Sequence, residues 1–310
     1  MLVVVEKAQF STHLLHPKYW LLWFGVALMR TTQVLPLHLQ MKLGASLGRL
    51  VMRLAGSRTR TAKRNISLCF PQMSAQEQQT LLVQNFEETG KALFDTINAW
   101  WWSDEKVQRH MQITGAEHIT DILADGQGVI LFAVHCLPLE MGGRMCGQFN
   151  PSIGVYRPHN NPLMEYLQVK GRLRSNKGLV SKRDLRQMVR SLRGPNAVWY
   201  TADQDFGRSS AVFIPFYAVP EAATITGATT LAKLGKAKVL PFFVERNQDD
   251  TGYRIEVMPA LENFPGVDEV SDALRGNQII EQLIDKNRSQ YMWLHRRFKT
   301  RPNENDPSLY

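Results

Sequence analysis

The feature that most restricts the fold is a run of six apolar residues, Val129-Ile130-Leu131-Phe132-Ala133-Val134, with no polar residue among them. A strand with one wet face alternates apolar and polar residues, whereas a strand covered on both faces reads as a continuous apolar run. Shorter runs of this kind recur at Ile153 to Tyr156, Ala197 to Tyr200, Val239 to Val244 and Tyr253 to Met258. Between and after them the spacing predicts helices near residues 162–174, 182–193, 221–234 and 272–288. Covered strands alternating with helices predict an α/β fold with a mixed, mostly parallel sheet flanked by helices. No internal repeat or low-complexity segment interrupts this pattern, and the polar tail from Arg301 is expected to be loose.

The chain before this unit has a different character. Tyr19 to Met29 is an uncharged run of 11 residues, followed by Arg30 and a second uncharged run from Thr31 to Met41 that contains Pro36. Neither run alone crosses about 30 Å of hydrocarbon. Together they either span with Arg30 snorkelling, or lie in the interface with Tyr19, Trp20 and Trp23 at headgroup depth. Either way an N-terminal membrane-anchoring helix is expected. Between Glu6 and Glu77 there is no acidic residue but ten Lys and Arg, within a net charge of +9. A basic flank beside apolar runs fits an anionic, cytoplasm-facing leaflet. The expected division is an anchor and basic amphipathic segment over residues 1–64 and a second domain over 65–310. Pro71 breaks the chain, and Ser74-x-x-Glu77 reads as a capping box opening a helix with Leu82, Phe86, Leu93 and Ile97 on its apolar face. The cluster Trp100-Trp101-Trp102 reads as core packing or as a membrane-level belt.

Two signals exclude chemistry. Cys69, Cys136 and Cys146 share no metal-ligand spacing and leave an odd thiol, which argues against a disulfide framework and weakly for a reducing compartment. Gly44-Ala45-Ser46-Leu47-Gly48 spells the serine-hydrolase elbow, but that motif needs a preceding strand. Ser46 follows a membrane-like run and keeps helical period, so it reads as structural.

The sharpest candidate is the end of the first strand, where Val134 is followed by His135-Cys136-Leu137-Pro138-Leu139-Glu140. Ligands bind at the carboxyl ends of strands in α/β sheets. A neutral imidazole there can deprotonate a hydroxyl that attacks a thioester, with a carboxylate on its other nitrogen fixing the tautomer. No enzymic serine or cysteine is then required. Spacing alone also fits a strand-end histidine and an unrelated surface glutamate. Arg172, Arg174 and Lys177 crowd one segment, and the fork geometry of arginine suits phosphate groups. Asp203 and Asp205 follow a strand and suit sugar hydroxyls or the orienting of a basic residue; they do not make a complete metal coordination set. His295 to Lys299 is a basic-aromatic cluster for an anionic headgroup, a carrier protein or, read alone, nucleic acid.

The chain as a whole resembles the lipid A biosynthesis late acyltransferases, and within them the lauroyl- and palmitoleoyl-transferring members. The matching blocks are Leu15 to Trp20, Asn65 to Pro71, His135 to Glu140, Ile153 to Pro162, Gly171 to Lys177, Trp199 to Gly207 and Gln290 to Pro302. The resemblance implies an H-x4-[D/E] pair at His135 and Glu140, with Glu where many relatives carry Asp, and a substrate-phosphate arginine at Arg157. It implies a fold related to the glycerol-phosphate acyltransferases and no cofactor or metal. It implies acyl-carrier protein as donor, Kdo2-lipid IVA as acceptor, no nucleic-acid partner, and an inner-membrane location with the catalytic domain facing the cytoplasm. A lauroyl donor is favoured, with palmitoleoyl and myristoyl donors open. A thioesterase differs only in letting water replace the lipid hydroxyl, and a non-catalytic basic membrane- or nucleic-acid-binding protein would leave His135 and Glu140 idle.

Overall fold

A computed structural model describes residues 5–310 of the chain. After two short 3-10 turns the helices α1 (Trp20–Thr31), α2 (Leu37–Leu54), α3 (Gly56–Cys69) and α4 (Ala75–Trp101) come first, with the short α5 (Asp104–Arg109). There follow β1 (Met111–Thr114), α6 (Glu117–Ala124), β2 (Val129–Ala133), α7 (Leu139–Phe149), β3 (Ile153–Tyr156), α8 (Pro162–Arg172), β4 (Gly178–Ser181), α9 (Leu185–Leu192) and β5 (Ala197–Thr201). The chain ends with β6 (Ala211–Phe216), β7 (Val219–Ile225), α10 (Gly227–Gly235), β8 (Lys238–Arg246), β9 (Tyr253–Val257) and α11 (Glu269–Lys286).

Seven strands form one sheet in the order β1-β9-β8-β2-β5-β3-β4. Every neighbouring pair is parallel except β8 and β9, so the sheet is mixed and mostly parallel, as its apolar runs predict. All five residues of β2 are buried, which is why that strand lacks alternation. The helix expected over 221–234 begins only at Gly227, because residues up to Ile225 pair antiparallel with β6 in a separate hairpin. The alternation of Val219 to Ile225 is masked by alanines, and pairing with Phe213 and Ile214 overrides local propensity. The tail is not loose. Arg64 Nε donates to the Leu309 carbonyl at 2.6 Å, and the Tyr310 hydroxyl bonds Asn65 and accepts from the Phe298 N–H at 3.0 Å.

The capping box forms as expected: Ser74 and Glu77 exchange hydrogen bonds at the start of α4. Helix α2 lies directly on α4. A Cβ on Gly48 would sit 1.9 Å from the Phe86 carbonyl oxygen, and one on Gly90 would sit 2.0 Å from that of Gly44. The glycines of the apparent hydrolase motif are therefore contact points between two helix backbones. Ser46 sits inside α2, its hydroxyl donating to the Lys42 carbonyl at 3.0 Å.

The two N-terminal apolar runs do not merge into a spanning helix. Helix α1 has 12 residues, about 18 Å at 1.5 Å per residue, against about 30 Å of hydrocarbon. Thr31 and Thr32 donate to the carbonyls of Leu28 and Met29, a 3-10 turn follows, and Pro36 redirects the chain into α2. Among the described residues no helix is long and apolar enough to cross a membrane, which corrects the transmembrane expectation. Helix α1 instead exposes Trp20, Leu21, Phe24 and Leu28.

Candidate active site

The site follows from strand register. Strands β2 and β5 are parallel with Ala133 opposite Thr201. Two residues further along each chain, His135 therefore meets Asp203. The His135 N–H donates to Asp203 Oδ2 at 3.1 Å, and His135 Nδ1 lies 2.7 Å from Asp203 Oδ1. Asp203 is 1% exposed. Burial pushes its carboxyl upward, but the imidazole charge and the hydrogen bonds from His135 outweigh this and hold it below its ordinary value. It is an anion that fixes the ring. The other ring nitrogen, Nε2, lies 3.2 Å from the Thr201 hydroxyl. The loop after β2 is secured from the chain's far end: Leu137 N–H donates to the Gln290 carbonyl at 2.7 Å, and Met292 N–H to that of His135 at 3.1 Å.

Glu140 does not hold His135, contrary to the expectation from spacing. It opens α7, and its carboxylate accepts from Arg172 at the end of α8 and from Trp100 Nε1 near the end of α4 at 2.9 Å. The reason is that α7 begins only at Leu139, after a loop that carries Glu140 toward α4 and α8, while the β5 register fills the histidine's side. Burial raises the Glu140 carboxyl, yet the Arg172 charge and its hydrogen bonds prevail and hold it below its ordinary range. The Trp100 indole reaches it across Gly171, where a Cβ would come within 2.3 Å of the ring.

His135, Glu140 and Arg172 all line one open cleft of about 1240 Å³, large beside ordinary small-molecule pockets of about 300–1,000 Å³. Arg157 also lines it, exposed and, among the described residues, hydrogen-bonded to Asn160 alone at 3.3 Å. Other expected site residues have structural roles. Arg172 is committed to Glu140, so its fork is not free. Arg174 donates to the Trp100 carbonyl at 2.7 Å. Asp205 fastens its loop, accepting from the Gly207 N–H, the Thr300 N–H and the Thr300 hydroxyl. Cys136, next to the histidine, is buried, and burial pushes its thiol up to about 12, which leaves it a poor nucleophile. Reading the sequence missed Thr201 and Trp100 as partners of the two ionisable groups. The available signal was the parallel pairing of two apolar strands whose ends carry His135 and Asp203.

The chain matches the family described as "Bacterial lipid A biosynthesis acyltransferase" over residues 7–300. It is 43% identical over 302 residues to the lipid A biosynthesis lauroyltransferase of Escherichia coli (strain K12), covering 97% of this chain and 98% of that protein. It is 40% identical to the lipid A biosynthesis palmitoleoyltransferase of the same organism, covering 98% and 99%. The myristoyltransferase of that organism is more distant, at 28% identity, covering 96% and 93%.

Proposed function

Because the chain belongs to the bacterial lipid A biosynthesis acyltransferases, we propose that it moves a lauroyl chain from acyl-carrier protein onto a hydroxyacyl chain of Kdo2-lipid IVA. The observation that carries the mechanism is a carboxylate-held histidine at a strand end, on the wall of a large open cleft. Asp203 keeps a proton on Nδ1, so the Nε2 lone pair faces the acceptor hydroxyl. As that oxygen attacks the thioester carbon, Nε2 takes its proton. The tetrahedral adduct then expels the carrier's sulfur, which recovers the proton from Nε2, leaving an ester and a free thiol. Asp203 stays ionised and stabilises the imidazolium. The Glu140–Arg172 pair shapes the neighbouring wall, and Arg157 offers a free guanidinium to an acceptor phosphate.

The membrane assignment rests on α1, whose exposed Trp20, Leu21, Phe24 and Leu28 suit the interface of a cytoplasm-facing leaflet of the inner membrane. Residues 1–64 would supply the docking elements and 65–310 the chemistry. The test is incubation with carrier protein bearing lauroyl, myristoyl or palmitoleoyl chains and the tetra-acylated acceptor, followed by mass spectrometry. A product one acyl chain heavier, greatest with lauroyl, is expected. Free fatty acid alone would mean a thioesterase.

A second reading comes from the Thr201 hydroxyl, 3.2 Å from Nε2 of the histidine that Asp203 holds at Nδ1. In it Thr201 takes the acyl chain first and passes it to the acceptor. An acylated protein after incubation with donor alone would favour this route, and Thr201→Val would then abolish turnover.

A further inference from the structure

A row of cations runs from the mouth of the cleft along α9 to the neighbouring α10, on segments that carry no acidic residue. There is no Asp or Glu from 185 to 202 or from 222 to 244. Asp184, which immediately precedes α9, is 9% exposed and caps that helix by accepting from the Gln187 N–H at 3.0 Å. Helix α9 buries Met188 and Leu192, which turns Arg186, Arg190 and Arg193 to solvent at helical spacing. Arg193 Nε donates to the Leu234 carbonyl at 3.3 Å, which joins this row to the exposed Lys233 and Lys236. At the other end Arg183 and the exposed Leu185 line the cleft itself. Among the described residues none of these six cations pairs with a carboxylate. Nearby Lys182 is held below its ordinary value, by burial first and then by the charges of Arg157, Arg183 and Lys299.

We infer that this basic band along α9 and α10 is the docking face for an acidic protein that carries the acyl thioester. The inference rests on the reading above that the donor is protein-borne. Like charges in a row repel one another, and an acidic helical partner relieves that repulsion while steering its thioester to the adjoining cleft. A lipid surface fits less well. A membrane-lying helix turns its apolar face outward into the bilayer, whereas α9 turns Met188 and Leu192 into the protein core. The band itself exposes Leu185 and Leu234 at 42% and 45%, whereas α1 exposes Trp20, Leu21, Phe24 and Leu28 at 56% or more.

The test compares the Arg186→Glu/Arg190→Glu double variant with the unaltered chain on two donors, lauroyl-carrier protein and lauroyl-coenzyme A. Among the described residues neither arginine forms an ion pair, and Arg190 donates to Gln187 at 3.4 Å on its own helix, so the fold is expected to persist. Turnover of the small thioester reports on it. The KM for the protein donor should rise roughly tenfold with kcat held, and its salt dependence should weaken. The KM for the small thioester should not move. Equal defects with both donors, or none with the carrier protein, would overturn the docking face. So would a loss of binding to vesicles containing phosphatidylglycerol with an unchanged carrier KM, which would assign the band to lipid. An unaltered chain that turns over neither donor would instead refute the acyl-transfer reading.

Discussion

His135 has one partner on each ring nitrogen, and the two carboxylates nearby do different things. If Asp203 holds the tautomer, Asp203→Asn should reduce kcat by about 10²–10⁴-fold, close to the effect of His135→Ala, because a side-chain amide can present a donor to Nδ1. Glu140→Gln should keep kcat within about tenfold, since it alters a wall and not the base. Steady-state kinetics on the three variants decides it: a severe Glu140→Gln defect with a mild Asp203→Asn defect would return the orienting role to Glu140. The Glu140–Arg172 pair should appear in stability instead. Both side chains are mostly buried, at 16% and 20% exposure, and removing one partner of a buried pair costs about 3–5 kcal/mol. The folded Glu140 carboxyl lies below its ordinary 4.5. Its contribution is therefore complete above pH 4.5 and fades as pH falls through the lower folded value. Melting temperatures from pH 7 to 3 should fall more steeply for the natural chain than for Glu140→Gln, and parallel curves would refute this linkage.

At the scale of elements, the packing of α2 on α4 makes a sharp comparison possible. Gly48→Ala places a methyl group where the Phe86 carbonyl already sits, so the helices must part, at about 1–3 kcal/mol or more. Gly25→Ala in α1 meets nothing within 4 Å and should be neutral or stabilise slightly through helix propensity. Urea midpoints of the two variants check the difference. Much at this scale was legible in the sequence. The run Val129 to Val134 implied a covered central strand, and Ser74 with Glu77 marked the start of α4. The β6–β7 hairpin was not legible, since Ala222 and Ala223 hide the period of a strand that tertiary pairing enforces. The site was half legible. His135 stands out at a strand end, but its carboxylate lies 68 residues away and is identified only by which strands are neighbours and in what register. Local spacing offered Glu140 in its place.

Over the whole molecule, α1 and α2 each expose large apolar side chains, with Leu21 at 83% and Leu54 at 75% exposure. Burying a large apolar side chain is worth about 1.5–3 kcal/mol, so Leu21→Glu/Phe24→Glu should weaken binding to vesicles of bacterial lipid by at least tenfold while sparing turnover of a detergent-dispersed acceptor. Flotation assays measure the first and kinetics the second. Unchanged flotation would place the docking surface elsewhere.

The stitching of the β2 loop to residues 290–292 has a consequence in time. The exposed apolar residues of α1 and α2 are translated early, within the first 54 residues, whereas His135 gains its carboxylate only when residue 203 is made and its loop closes on Gln290 and Met292. If α1 docks on the bilayer as proposed, the growing chain exposes that surface long before His135 holds its carboxylate. On that reading delivery to the bilayer can precede competence, and a chain stalled short of residue 290 would arrive inert.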